Sequence, residues 1–531
     1  MKQILLPLAA LTPLVAECAE GTNSRPNIIV ILSDDMGYSD IGCYGSEIET
    51  PALDELARSG VRLTQFYNGA RSCPSRASLL TGLYPHQAGM GSMTTGSKTS
   101  KAYTGSLNDQ CVTMGEALQL NGYTTFASGK WHVCEDIKKD KEMDKKDWPL
   151  QRGFDRFYGL INGASSYWKP TTLARGNNII TPDTDPKYKP ENGYYFTDAI
   201  TDNAITYINE AKKGKPFFAY IAYTAAHWPL HARPEDMAKY KGKYDKGYDA
   251  VRKARYEKAM SEGVLAKNVK LSPTVGDWAA VEDRAFEAKR MEVYAAMIDR
   301  MDQGIGRIVE TLRERGELEN TLIFFMEDNG ACSREDAGNK ALEVNTVEAF
   351  DASDNTFIAY GSNWANVSNT PFRMYKKNAQ EGGIATPLVA YWGAGIKSKG
   401  VVRTDQSHLM DIMATCLDAA GAKYPTVYNG NDIIPMEGRS LLPMFDGAEL
   451  PERPLFFSHG GKNGVRSGDW KMACLQGEPW ELYNMAEDRS ELNNLAEKMP
   501  EKVAELSKLW NDWATRCHVS KMVVGGNKRR K

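Results

Sequence analysis

Arg71-Ser72-Cys73-Pro74-Ser75-Arg76-Ala77-Ser78-Leu79-Leu80-Thr81-Gly82 sets the terms for the rest of this chain. Its first half has turn chemistry: small polar residues, then Pro74. Its second half, Ala77 to Leu80, suits a helix. Proline fits the first helical turn, where its missing N–H costs nothing. Ser72 is therefore expected just before a helix N-terminus, where free backbone N–H groups and the helix dipole favour an anion. Arg76, one turn further in, adds a positive fork. A hydroxyl, an anion hole and an arginine together suit attack on an anionic centre. Taken alone, the same pattern describes an ordinary N-capped surface helix.

Four apolar runs flank this stretch, and each delivers polar residues at its carboxyl end. Pro26 to Leu32 is rich in β-branched residues, as in a strand buried on both faces of a parallel sheet, and ends in Asp34-Asp35. Paired carboxylates at a strand end suit a hard cation, although alone they also describe a helix N-cap and a turn. Tyr123–Ala127 leads to Gly129-Lys130-Trp131-His132, and Phe217–Tyr223 to His227-Trp228. Thr321–Phe325 leads to Glu327-Asp328-Asn329. Leu388–Trp392 is a further core strand. Helices are expected at Pro51–Gly60, Met114–Leu120, Phe196–Ala211 and Ser407–Ala420. The stripe Tyr294, Ile298, Met301, Ile305, Ile308, Leu312 marks a helix with one core-facing side, stopped by Gly316. Residues 235–285 are charged and read as a mostly helical excursion.

A chain of 531 residues buries a large core and has room for more than one domain. Net charge is −3, so no global field argues for nucleic acid or membrane binding, and the run Lys528–Lys531 reads as a solvated tail. Nine cysteines without a C-x-x-C pair argue against a zinc site and a disulfide scaffold. Residues 1–19 have a basic start, a short apolar run and small residues, so they read as a signal peptide rather than a membrane span. That implies an exported protein, periplasmic or secreted. Val15-Ala16-Glu17-Cys18 offers a lipoprotein-type cleavage site as the second reading, against which Glu17 counts. After Arg439 short strands alternate with turns (Leu455–Ser458, Gly464–Arg466, Trp470–Cys474, Trp480–Tyr483) before a terminal helix, Glu501–Arg516. The expected division is 20–439 for a large domain and 440–531 for a small α+β domain.

The string Ser72-Cys73-Pro74-Ser75-Arg76 with its Leu-Thr-Gly segment resembles the signature of the type I sulfatases, as do Gly129-Lys130-Trp131-His132 and Glu381-Gly382-Gly383. The resemblance runs from about Pro26 to Arg516. It implies an α/β, alkaline-phosphatase-like sandwich. Such a fold has a large mixed, mostly parallel central sheet and a smaller C-terminal domain with an antiparallel sheet and a helix. In that family the first residue of the signature is oxidised to formylglycine, whose hydrate is the nucleophile. Counting back from Pro74, that residue is Ser72, and Cys73 is the variable position. The resemblance further implies calcium held by Asp34, Asp35, Asp328, Asn329 and the oxygen of residue 72. Arg76, Lys130 and Lys376 would hold the sulfate, with Lys377 as the alternative to Lys376. His132 would orient the hydrate, and His227 would protonate the leaving alcohol or contact the sulfate. Glu327 departs from the family's usual serine. A serine-type sulfatase-maturating enzyme is the implied partner.

The expected activity is hydrolysis of a sulfate ester, on a sulfated carbohydrate or an aryl sulfate. Trp168 and Trp228 are candidates for stacking on a sugar; Trp228 and His231 border the expected pocket. Two rivals stand beside this: a phosphonate monoester or phosphodiester hydrolase of the same superfamily, and a glycan-binding protein whose Ser72 is never oxidised.

Overall fold

The computed structural model describes residues 25–95, 100–138, 143–335, 346–350 and 356–520. The leader-like residues 1–19 and the basic tail lie outside the described residues, as does part of the Gly89–Ser100 loop.

Eleven strands form one sheet: β1 Asn27–Ser33, β2 Val61–Tyr67, β3 Thr124–Gly129, β4 Arg156–Leu160, β5 Leu173–Arg175, β6 Asn178–Ile179, β7 Phe217–Ala222, β8 Thr321–Glu327, β9 Ala385–Tyr391, β10 Val401–Arg403 and β11 Ser407–His408. The order is β10-β2-β9-β8-β1-β7-β3-β4-β5-β6, with β11 also on β2. Strand β1 lies at the centre, parallel to β7 on one side and to β8 on the other. Antiparallel pairs join β9 to both β2 and β8. The sheet is therefore mixed and mostly parallel.

The continuous apolar character of the central strands has a direct cause. Ile28, Val30 and Leu32 face one hydrophobic layer, while Ile29 and Ile31 face the other. Both faces are covered, so β1 is apolar from Ile28 to Leu32, with polar residues only at its ends, Asn27 and Ser33. One layer is closed by helices Pro51–Ser59, Phe196–Glu210 and Arg284–Glu314; the other by Ser72–Thr81, Met114–Leu120 and Met410–Ala419. The helix expected from the Tyr294–Leu312 stripe starts earlier, because the Asp283 side chain accepts from Phe286 N at 2.9 Å and caps it. Ser407–His408 is strand rather than helix: it pairs with Phe66–Tyr67, and the helix begins at Met410.

A small hairpin, β12 Val427–Tyr428 and β13 Asn431–Asp432, precedes an antiparallel meander of β14 Leu455–His459, β15 Lys462–Ser467, β16 Trp470–Cys474 and β17 Glu481–Asn484. The last helix, Pro500–Arg516, packs on this meander, with Trp513 stacked on Phe456 at 5.2 Å. Leu455, Val465, Met472, Leu506 and Trp510 belong to the same hydrophobic cluster as the main helix layer. Buried charges also cross this junction. Lys471 Nζ lies 2.7 Å from Glu381 Oε1 and 2.8 Å from Glu491 Oε1, and Arg489 Nε lies 3.2 Å from Glu381 Oε2.

Among the described residues no disulfide joins the cysteines, and all but Cys332 are buried. Among the described residues no helix is long and apolar enough to cross a membrane.

Candidate active site

The carboxyl ends of β1, β3, β7 and β8 lie side by side, so their following residues meet. Adjacent residues of a strand point to opposite faces, yet Asp34 and Asp35 both enter the site. The chain permits this by leaving the strand at Asp35 in the left-handed region, φ 68°, a conformation aspartate tolerates better than most residues. Asp328 and Asn329 follow β8, the neighbour of β1. Asn329 Nδ2 donates to Asp35 Oδ1 at 2.8 Å. Asp34, Asp35 and His227 offer ligand atoms within 4.8 Å of one another. The sulfatase resemblance gives the histidine of that group a different role, as proton donor or sulfate contact.

Ser72 opens the helix Ser72–Thr81, with Arg71 as its extended N-cap residue. Its Oγ is 3.2 Å from Asn329 Oδ1, 3.4 Å from Asp34 Oδ1 and 3.3 Å from Lys376 Nζ. Cys73 points the other way, fully buried among Ala77, Leu80 and Leu83. Burial pushes its thiol up to about 11, which makes it inert. One turn on, Arg76 is wholly buried; its Nε donates to Asp328 Oδ2 at 3.1 Å, and its Nη1 to the Lys130 carbonyl. Burial opposes its charge, but Tyr220, Asp328 and Asp34 keep it firmly protonated.

Gly129 ends β3 at φ 117°, where a Cβ would sit 2.0 Å from the Ala222 carbonyl oxygen. The backbone beyond it stays pinned, Lys130 N to Ala222 O and Trp131 N to Leu160 O, each at 2.8 Å. Trp131 is thus sent into the core while Lys130 reaches Asp34 Oδ2 at 2.5 Å. Burial lowers the Lys130 pKa, partly offset by Asp34. His132 is buried with Nδ1 unpartnered; burial, then the charges of Lys130 and Arg76, hold it well below the usual histidine range. The His227 Nδ1–H donates to the Trp228 carbonyl at 2.6 Å, leaving Nε2 to face Asp35 Oδ2 at 3.4 Å. Burial lowers His227 to about 3.

Lys376, not Lys377, reaches this cluster: its Nζ contacts Asp35 Oδ1 and Ser72. Its neighbours Met374 and Lys377 take left-handed φ of 65° and 77°, so the loop kinks and Lys377 stays exposed. The Gly pair of Glu381-Gly382-Gly383 seats this loop. A Cβ at Gly383 would lie 2.1 Å from the Asn378 carbonyl oxygen, and one at Gly382 2.3 Å from those of Arg373 and Met374. Burial works against the charge of Asp35, but Lys376 and His227 hold its carboxyl well below the usual range.

Glu327 turns aside. Its carboxylate oxygens accept from the Asp328 N–H at 2.8 Å and from Ser33 Oγ at 2.7 Å. Burial, then Asp328, raises its pKa well above normal, and its two hydrogen bonds tie it to the ends of β8 and β1. Two neighbours went unread in the sequence. Tyr220 OH lies 3.5 Å from Arg76 Nη1, and the half-buried Cys332 adjoins Asp35 and Lys376. Tyr220 sits mid-strand in an apolar run, where nothing local distinguishes it from core.

Buried carboxylates, amide oxygen and cations around one serine hydroxyl, at the carboxyl edge of a mixed sheet, define a hydrolase of anionic esters. The chain belongs to the sulfatase family, whose model, described as Sulfatase, matches residues 26–422. An uncharacterized sulfatase of Schizosaccharomyces pombe is 33% identical over 530 residues, covering 92% of this chain and 94% of that protein. An arylsulfatase of Klebsiella aerogenes is 34% identical over 437 residues, or 78% of this chain and 91% of that one. Among solved structures, Ps i-CgsB in complex with k-i-k-neocarrahexaose aligns with TM-score 0.65 and 26% identity, over 92% of this chain and 93% of that chain. The protein is a sulfuric ester hydrolase of alkaline-phosphatase-like fold.

Proposed function

We propose that this sulfatase removes sulfate from a sulfated carbohydrate, using a formylglycine made from Ser72 and a calcium ion held by Asp34, Asp35, Asp328 and Asn329. The observation that carries the reading is the meeting of Ser72 Oγ with Asp34, Asn329 and Lys376 at 3.2–3.4 Å. The donor set suits a hard cation: all oxygen, all fully buried, with Asp35 Oδ2 and Asp328 Oδ1 lacking a hydrogen-bond partner. Calcium there would polarise a sulfuryl oxygen and the oxygen of residue 72. Formylglycine, as its hydrate, would supply two hydroxyls on one carbon, one for attack on sulfur and one for release of sulfate.

The chain's own residues do the rest. Three carboxylates face three cations, Arg76, Lys130 and Lys376, so a bound dication leaves positive charge to spare for an anionic ester. Lys130 and Lys376 hold sulfuryl oxygens as point charges, and Arg76 fixes Asp328. His227 presents Nε2 to the cluster; Nδ1 holds the hydrogen of the neutral ring, so Nε2 first takes up a proton within the site and then delivers it to the leaving alcohol. His132 orients residue 72. A maturating enzyme that oxidises serine is the required partner, and residues 1–19 support export to the periplasm or beyond.

A carbohydrate substrate is supported by the neocarrahexaose bound to one relative. It is further supported by the half-buried indole of Trp228, 4.6 Å from the His227 ring, and by that of Trp168, which follows Tyr167, whose hydroxyl donates to the His227 carbonyl. Sulfate release should be measured over sulfated hexosamines, carrageenan oligosaccharides, 4-nitrophenyl sulfate, a steroid sulfate and a 4-nitrophenyl phosphodiester. Sulfated sugars should be the best substrates, and a calcium chelator should abolish turnover until calcium is restored. Turnover of the steroid sulfate alone, or faster cleavage of the phosphodiester, would overturn the reading.

A further inference from the structure

A second group of basic side chains borders the Ser72 cluster and takes no part in it. Arg71 immediately precedes Ser72. Its Nε donates to Met93 Sδ at 3.2 Å, and its terminal nitrogens have no partner among the described residues. Lys377 follows Lys376, and its backbone N–H donates to the Ala70 carbonyl at 2.7 Å, which ties its turn to the residue before Arg71. The tip of the β14–β15 hairpin adds His459 and Lys462, paired across the turn. Lys462 Nζ donates to Asn378 Oδ1 at 2.9 Å, one residue beyond Lys377. Three separate segments thus bring Arg71, Lys377 and Lys462 to one side of the site.

No carboxylate pairs with any of these three among the described residues. Elsewhere Arg255 is paired with Asp40 and Glu47 and Arg175 with Asp185, while the buried Arg252 directs its donors to the carbonyls of Ser272 and Pro371 and the Ser272 hydroxyl. His459 Nδ1 is buried and has no hydrogen-bond partner. Burial, then the charge of Arg71, lowers the pKa of both Lys377 and Lys462. Like charges gathered without a counter-ion oppose folding, and an anion relieves them.

We propose that Arg71, Lys377, His459 and Lys462 form an anion subsite that takes a second acidic group of the substrate, a further sulfate or a carboxylate on the sugar. The preferred substrate is then a saccharide with at least two negative groups, one cleaved at Ser72 and one gripped by this basic cluster. The inference rests on the sulfatase reading for where reaction occurs, but it is a statement about binding and is tested as one.

The double variant Lys377→Ala/Lys462→Ala separates the two. The single-anion probes are 4-nitrophenyl sulfate and a monosulfated N-acetylhexosamine. The two-anion probes are a disulfated N-acetylhexosamine and a monosulfated disaccharide bearing a uronic acid. Loss of two charged contacts should raise KM for a two-anion probe by about ten-fold or more, with kcat little changed. Single-anion kcat/KM should stay within about two-fold, as expected for residues outside the reacting cluster. Which two-anion probe responds tells sulfate from carboxylate. Single- and two-anion probes moving together, or neither moving, would overturn the subsite. If the wild-type protein releases sulfate from none of them, the sulfatase reading fails on its own. Calorimetric titration with the two-anion probes then decides the subsite: weaker binding by the variant upholds it, equal binding ends it. Both positions are solvent-accessible, and matching melting temperatures confirm that the variant is folded.

Discussion

Ser72 and Cys73 are neighbours with opposite fates. One hydroxyl meets two side-chain oxygens and an ammonium, while the adjoining thiol is sealed in the core. Ser72→Ala should therefore lower turnover by ~10³-fold or more, as removal of a nucleophile does elsewhere. Cys73→Ala should keep most activity and cost about 1–2 kcal/mol of stability from the small cavity it leaves. Mass spectrometry of the tryptic peptide Ser72–Arg76 completes the comparison: active enzyme should lack two hydrogens at Ser72. Oxidation at Cys73, or full activity with an unmodified serine, would count against formylglycine at this position. Lys376 and Lys377 show where the reading of residues stops. Two adjacent lysines are chemically alike on paper, and the left-handed turns at Met374 and Lys377 decide which one enters the site. Glu327 was visible as a departure, but its direction depends on the Ser33 hydroxyl, which reaches it only because β1 and β8 are paired.

At the level of elements, the strands were readable because burial on both faces leaves a continuous apolar run with no alternation to misjudge. The two-residue strand Ser407–His408 was not, since its extended form comes from pairing with Phe66–Tyr67 and has no local cause. The sulfatase resemblance joins Glu381-Gly382-Gly383 to a lysine five residues earlier, Lys376; packing supplies the reason. The loop that carries Lys376 rests its carbonyls directly on the two glycines. Gly383→Ala would press a methyl group onto the Asn378 carbonyl, and should cost about 1–3 kcal/mol through overpacking. Because the displaced backbone holds Lys376, kcat/KM should fall with little loss of secondary structure. Unchanged kinetics with a lowered melting temperature would show that the loop yields without moving Lys376.

Across the molecule, the C-terminal meander is held to the large sheet by charge as well as by apolar contact. Lys471 is fully buried between Glu381 and Glu491. Lys471→Met would leave two carboxylates facing each other in the interior, and should destabilise by about 3–5 kcal/mol. Thermal unfolding should show this as a large fall in melting temperature; a small one would mean that water reaches the junction. Acid should weaken the same fold by a different route. Burial lowers His86 and His408 to about 3, from 6.5. The unfolded chain thus binds more protons between these two values, so stability is complete above pH 6.5 and is lost as pH falls. Each ring contributes at most about 1.4 kcal/mol per pH unit. Melting temperature should decline from pH 7 to 5, and His86→Phe should make that decline shallower.

The pairing of β1 with β8 has a consequence in time. Ser33 and Glu327, whose side chains touch at the strand ends, stand 294 residues apart. A ribosome adding about 5–20 residues per second needs roughly 15–60 s to cover that separation. Throughout that interval the first strand lacks β8, although β7 is available once residue 222 is made, and the part of the wall over Ser72 that Asn329 and Lys376 supply has not been synthesised. A side chain only 2% exposed in the finished protein is thus open to another enzyme for most of the minute in which the chain is made.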